Sequence, residues 1–341
     1  MNEFLKGILD GINSLVGSYG WSIMLFTLLI RVCLTPFDYK SRVGMRKMTK
    51  LQPEVAKLQK KYAKDQEKLN QKTSELYRKE KVNPLSSCLP MLLSMPILFA
   101  MFAAMRMIAN EAMVQQTFDI ILGVEPTMEP WLWIKNVWMP DSPFSPTWPD
   151  LTMLQQIPGD IWQKMLTALQ STDAAAYDAL IAKVSEASAY ALSAEGIAAD
   201  TMNGVQAIVT TMQTMPEYVA NVAKLPGWSF NLIVTTLDVN KNFNGFFLLP
   251  LLAAGSQFLM TKLQGASDAP ANANQQQNST NSFMKWFFPL FSLWICAGYN
   301  AAFAVYWVTS NLLSMVQNFA INWYLDRKEK QAAVANDGLQ K

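Results

Sequence analysis

Hydrophobic positions gather in four stretches without a formal charge, each near the roughly 20 residues that cross a bilayer as a helix. They run from Gly11 to Ile30, Val82 to Met105, Asn242 to Thr261 and Trp286 to Leu325. The last is 40 residues long, twice the needed length, and predicts a fold-back at Gly298, Tyr299 and Asn300. Five spans follow. The first stretch needs dividing. Phe4, Leu5, Ile8, Leu9, Ile12, Leu15 and Val16 share one helical face, while Lys6, Asp10 and Asn13 fall elsewhere. That pattern predicts an interfacial helix over 1–20, with the span itself at 21–39. A cleaved signal peptide is the competing reading. It fits poorly, because Met1 to Lys6 is not strongly basic and no small-residue cleavage site follows.

Between the spans the pattern turns polar. Residues 40–81 predict a helical hairpin: Leu51, Val55, Leu58 and Tyr62 form a narrow stripe, and Leu69, Thr73, Leu76 and Glu80 continue it after a break near Asp65, as in a two-helix coiled coil. The second span takes 82–110 and an outer segment 111–144. Residues 145–240 predict a small, mostly helical insert, opening on a proline- and tryptophan-rich stretch. The third span takes 242–263, a flexible Asn/Gln/Ser-rich linker 264–282, the fourth and fifth spans 283–299 and 301–325, and a tail 326–341. The sequon-like Asn278-Ser279-Thr280 lies in that linker, where glycosylation is not expected. The fold class expected is an all-α polytopic membrane protein, with five transmembrane helices, a cytoplasmic helical hairpin and a mostly helical extracytoplasmic insert.

Charge orients these elements. From Asp38 to Asn83 there are 14 Lys+Arg against 6 Asp+Glu, and from Glu111 to Phe243 there are 5 against 14. The first segment is expected on the cytoplasmic side. Arg327, Lys328 and Lys330 follow the last span, which agrees with an outside N-terminus and a cytoplasmic C-terminus. Charged residues make up only 16% of the chain, against about 25% in soluble domains. There is no histidine, which excludes Ser-His-Asp catalysis, His-ligated metals and a His proton relay. Cys33, Cys88 and Cys296 lie far apart in apolar stretches and read as buried hydrophobes. No cofactor, metal site or enzymatic activity is expected.

Arg31 stands out. It sits about ten residues into the first span, where an arginine costs on the order of 3 kcal/mol unless it reaches water or a partner. No Asp or Glu is expected inside the spans to pair with it, so a water-filled cavity is expected around Arg31. Snorkelling and static pairing are the alternatives. Thr27 shares its face one turn earlier. Ser256 and Gln257 interrupt the third span; Thr309, Ser310, Asn311, Gln317 and Asn318 interrupt the fifth. Such groups either line a cavity or hold helices together. Pro36, Pro90, Pro96, Pro250 and Pro289 are expected to bend or break helices. Met91, Met95, Met101, Met105 and Met107 read as adaptable packing, or as a greasy slide for passing helices. On the hairpin, Arg42, Arg46, Lys47, Lys50, Lys57, Lys60 and Lys61 form a basic surface that either fixes topology or meets a partner.

Several motifs resemble the YidC-type membrane protein insertases: Thr27-Leu28-Leu29-Ile30-Arg31, Leu51-Gln52-Pro53, Tyr77 to Leu85, Cys88 to Pro96, Trp131 to Trp138, Phe246 to Leu263 and Tyr306 to Asn311. The resemblance covers 15–140 and 243–325. It implies a bacterial cell-membrane protein with a hydrophilic groove open to cytoplasm and lipid, in which Arg31, Thr27, Tyr306 and Trp307 take part. It also implies nascent membrane proteins and membrane lipids as partners, with the Sec translocon, the ribosome and a targeting factor as further candidates. The insert lies outside the family's minimal core, and the tail is short and mildly basic. A small-anion transporter and a membrane scaffold working through the insert are the competing functions. A transporter predicts internal repeats, and none is visible.

Overall fold

The computed structural model describes residues 2–80, 82, 89–231, 236–268 and 275–339. In chain order its elements are α1 (Asn2–Val16), α2 (Tyr19–Lys61), α3 (Gln66–Lys79), α4 (Leu89–Leu122), α5 (Leu151–Leu154), α6 (Gly159–Thr172), α7 (Ala174–Ser188), α8 (Ala194–Ala199), α9 (Thr201–Gln213), α10 (Pro216–Asn221), β1 (Lys224–Asn231), β2 (Thr236–Asn240), α11 (Leu248–Asp268), α12 (Gln275–Gly298) and α13 (Ala301–Leu339). Among the described residues, two helices are long and apolar enough to cross a membrane, Tyr19–Lys61 and Met95–Leu122; Leu248–Leu263 is a shorter apolar stretch. The chain divides into two compact units.

The first unit comprises Met1–Ile23, Met101–Leu251 and Leu293–Val305. Helix α1 buries Leu5 and Leu9 and leaves Phe4 and Leu15 exposed. It stops at Gly17, whose φ of +72° suits a residue without Cβ, and the Gly17 amide closes on the Asn13 carbonyl. Glu111 ties this helix to α4 and α6, accepting Lys6 at 3.3 Å and Lys164 at 2.6 Å. The Asp10 carboxylate holds Lys6 and the Tyr19 hydroxyl.

Helix α4 runs well past the expected end of its span. Val114, Phe118 and Ile121 enter the core of the insert, beside Trp162, Leu166, Leu180, Val184, Ile197, Val205, Ile208 and Met212. Residues 111–122, expected as a segment leaving the membrane, are thus the rod on which α6–α9 pack. Capping explains where α5 and α7–α9 begin. Asp150, Asp173, Ser193 and Asp200 each accept the backbone N–H three residues on, worth about 1 kcal/mol apiece.

The insert is helical through Asn221 and then departs from the expected pattern, ending in an antiparallel hairpin of β1 and β2. The register slips between Lys224 and Ser229, where Pro226 lacks an N–H and Gly227 has φ +79°. The two ends of the insert meet: the Asn240 amide donates to Pro143, and the Asn244 amide to Ser145. An insertion that enters and leaves at one place demands little of its host.

The second unit comprises Met24–Ala100, Leu252–Ser292 and Tyr306–Lys341. Helix α2 does not end with the first span at Tyr39. It continues through Pro36 and Pro53 to Lys61, so the stretches expected as first span and first hairpin arm are one helix. After the turn Asp65 caps α3 by accepting the Lys68 amide at 3.0 Å. The hairpin stripe is not sealed as a coiled coil would be. Val55 is buried, whereas α3 buries no residue and Leu69, Thr73 and Leu76 stay half-exposed. Helix α11 starts at Leu248 rather than 242, and α12 already at Gln275, inside the stretch expected as a flexible linker. Between α12 and α13 the helix breaks after Gly298. Cys33 is exposed and Cys296 is buried. Exposed Cys33 departs from the buried-hydrophobe expectation, because its helix face also presents Leu29 and Val32 outward. Cys88, Lys81, and 83–88 of the hairpin and second-span motifs lie outside the described residues, as do residues 269–274 of the linker.

Candidate functional site: a polar seam on two apolar helices

The helical repeat alone puts Thr27, Arg31, Thr35 and Asp38 on one face of α2. Leu25, Leu28, Leu29 and Val32 are exposed on the other side. On α13, Ser310, Ser314 and Gln317 share a face by the same spacing, with Leu312, Val316 and Phe319 exposed elsewhere. The two polar stripes meet. The Arg31 guanidinium donates from Nη2 to Ser310 Oγ at 2.6 Å. One turn further along, Gln317 Nε2 donates to Thr35 Oγ1 at 3.2 Å and to Asp38 Oδ2 at 2.8 Å. Thr35 donates to the Arg31 carbonyl, and Ser314 to the Ser310 carbonyl, so both hydroxyls also serve their own helices.

A second seam joins α13 to α11. Asn311 Nδ2 donates to Ser256 Oγ at 3.1 Å, and Ser256 donates to the Ala253 carbonyl. This pair acts as interhelical glue of the ordinary kind. Thr27, Tyr306, Thr309 and Gln257 are buried, and Trp307 is half-buried. Tyr306 and Ser310 share a hydrogen bond, which links Tyr306 to the Arg31 partner. Among the described hydrogen bonds none joins Arg31 to Ser256, Gln257, Thr309 or Asn311.

One expectation is corrected. The stretch 21–39, expected as the first span, does hold a carboxylate: Asp38 lies two turns from Arg31, and the two charges interact. In the sequence Asp38 marks the start of the charged hairpin, whereas the helix carries it into the Arg31 stripe. Thr35 and Ser310 complete the seam. Counting four and seven residues on from Arg31 would have found Thr35 and Asp38; nothing in the sequence pairs Arg31 with Ser310 rather than Thr309.

The basic hairpin surface divides in two. Arg46 is engaged: Nη1 meets Asp326 at 2.7 Å and Nη2 donates to the Asn322 carbonyl at 3.0 Å. Lys50 meets Glu329 at 3.1 Å. Arg42 is half-buried beside them. Lys47, Lys57, Lys60 and Lys61 are exposed. The greasy-slide reading of the methionines divides likewise: Met101 and Met105 are buried in the core, whereas Met95 is exposed.

Comparison with known proteins places this geometry in context. The pattern of the family described as 60Kd inner membrane protein matches residues 11–329. The chain is 46% identical over 106 residues to a membrane protein insertase YidC of Fusobacterium nucleatum, covering 31% of this chain and 52% of that protein. It is 41% identical over 137 residues to the protein of that name from Anaeromyxobacter dehalogenans (strain 2CP-C), covering 39% and 22%. It is 45% identical over 103 residues to the one from Caldanaerobacter subterraneus, covering 30% and 50%. The matched segments span about half or less of these relatives.

Proposed function

The chain belongs to the 60Kd inner membrane protein family, and from that premise we propose that it is a membrane protein insertase of the bacterial inner membrane. Its relatives named as insertases support the activity. Five spans at 21–39, 82–110, 242–263, 283–299 and 301–325 carry it, with the N-terminus outside and the hairpin and tail in the cytoplasm. The segregation of positive and negative segments supports that orientation.

The observation that carries the mechanism is the Arg31 seam. A guanidinium has five N–H donors, and Ser310 occupies one of them. An arginine in a span is tolerated where it faces water or a polar cavity. A nascent chain with one apolar helix and a short polar end approaches from the cytoplasm, attracted by exposed Lys57, Lys60 and Lys61. Its polar end enters a hydrated groove beside α2 and α13 and is held at Arg31, so that it crosses without full dehydration. The apolar helix moves into lipid along the exposed leucines, and burial of its surface drives the transfer. Thr27, Tyr306, Trp307, Gln257, Ser256, Thr309, Asn311 and Gln317 line or brace the groove. Membrane lipids are partners by this reading. The Sec translocon, the ribosome and a targeting factor are partners that the exposed lysines would serve.

The test is reconstitution into liposomes with a single-span client carrying an acidic end. Arg31→Ala is expected to slow insertion by about tenfold, the worth of one charge-assisted hydrogen bond. Arg31→Lys keeps part of the activity. Equal insertion by Arg31→Ala and the parent protein overturns the groove.

A further inference from the structure

Just past the Arg31 seam, a recess of about 470 Å³ opens between α2 and α13, lined by Arg42, Arg46, Lys50, Asn322, Asp326 and Glu329 among others. Its volume falls within the roughly 300–1,000 Å³ of small-molecule sites. Arg42, Arg46 and Lys50 recur every four residues along one face of α2. Asn322, Asp326 and Glu329 share one face of α13 at spacings of four and three. Three cations therefore line one side of the recess and two carboxylates the other. Arg46 closes on Asp326 at 2.7 Å and Lys50 on Glu329 at 3.1 Å. Room remains beside both pairs.

The residues one turn nearer the apolar seam say at what depth the recess lies. Tyr39 and Tyr324 meet edge to face with ring centres 6.1 Å apart. Phe37, Phe319, Trp323 and Tyr324 are exposed, and Arg327 lies 5.7 Å over the Trp323 ring. Exposed aromatic rings with an arginine beside them mark a membrane–water interface. A recess directly on the polar side of such a collar sits among phospholipid headgroups.

We propose that this recess binds the headgroup of a phosphatidylethanolamine-class lipid from the leaflet on the hairpin side. The phosphate lies against Arg42 and Lys50, and the primary ammonium against Asp326 and Glu329. The charge pattern selects this headgroup over two others. An anionic glycerol headgroup brings hydroxyls but no positive charge to meet the two carboxylates. A choline headgroup carries a methylated ammonium with no N–H to donate. The proposal rests on the membrane placement of α2 and α13 but not on the Arg31 groove.

The test uses the full chain, purified in detergent and exposed to equal amounts of phosphatidylethanolamine, phosphatidylcholine and phosphatidylglycerol with matched acyl chains. Retained lipid is read by native mass spectrometry. Phosphatidylethanolamine is expected to exceed phosphatidylcholine by about tenfold, the worth of a charge-assisted hydrogen bond. Joint replacement Asp326→Asn and Glu329→Gln is expected to erase that preference. Because these changes also loosen the pair with Arg46, Thr49→Trp provides a second variant. It fills the recess without touching an ion pair and is expected to abolish retention. Inorganic phosphate in excess separates a lipid site from a simple anion site, and is expected to leave the bound lipid in place. Equal retention of all three lipids, a preference for phosphatidylglycerol, or full displacement by phosphate overturns the proposal. Arg31→Ala is expected to keep the lipid preference, so loss of insertion and loss of lipid binding are separable.

Discussion

Replacing Asn244 with alanine removes the most connected buried side chain of the first unit. Asn244 is fully buried. Its Nδ2 donates to the carbonyls of Asn136, Met139 and Pro140 at 2.9, 3.1 and 2.9 Å, and its Oδ1 accepts the Asn136 amide at 2.9 Å. Two of those carbonyls keep other donors after truncation: Met139 accepts the Ala301 amide, and Asn136 the Met139 amide. The Asn136 N–H and the Pro140 carbonyl lose the partner described for them. An unsatisfied buried polar group costs about 1–3 kcal/mol, so the substitution costs about 2–6 kcal/mol. At about 2–4 °C per kcal/mol, the melting temperature should fall by about 4 °C or more. Tryptophan fluorescence during thermal unfolding in detergent reads this directly, since Trp131, Trp133 and Trp138 belong to the same segment. Asn244→Asp should be at least as harmful, because a carboxylate would face three carbonyl oxygens with no proton to donate. A melting temperature within about 1 °C of the parent would refute the reasoning, since it would mean that water satisfies the exposed partners at little cost.

Two more outcomes follow from other parts of the molecule. Asp38→Asn keeps an acceptor for Gln317 but removes the negative charge near Arg31. Clients with acidic ends should insert several-fold faster, because less of the arginine's field is cancelled; a loss as large as that of Arg31→Ala would count against this. In the insert, burial and then the charge of Asp150 push the Tyr218 phenol up to about 12 from 10.0. The folded state therefore holds this proton where the unfolded state has released it, and stability falls as pH rises from 10 to 12. Tyr218→Phe gives up the hydrogen bond to Pro149 but should flatten that part of the pH dependence of thermal unfolding.

Local pattern is legible wherever a residue's role depends on its own helix. The break at Gly298–Asn300, the turn near Asp65, the amphipathic start of the chain and the place of Arg31 within an apolar helix all follow from spacing, because a helix repeats every 3.6 residues wherever it lies. Charge segregation likewise depends only on counting. What spacing cannot carry is the partner across a gap in sequence. Arg31 and Ser310 are 279 positions apart, and Ser310 has the same local pattern as Thr309 and Asn311 beside it. The continuation of α4 into the core of the insert was hidden for a related reason: Val114, Phe118 and Ile121 are apolar whether they face lipid or α6. The hairpin of β1 and β2 was hidden in an insert expected to be mostly helical, because Pro226 and Gly227 give no strand signal until a facing strand supplies the pairing. Asn136 falls in the expected outer segment and Asn244 in the expected third span, and the hydrogen bonds that join them are invisible until the chain folds back on itself. In this protein the elements come from near neighbours, and the polar contacts between elements come from the way distant segments exclude water from one another.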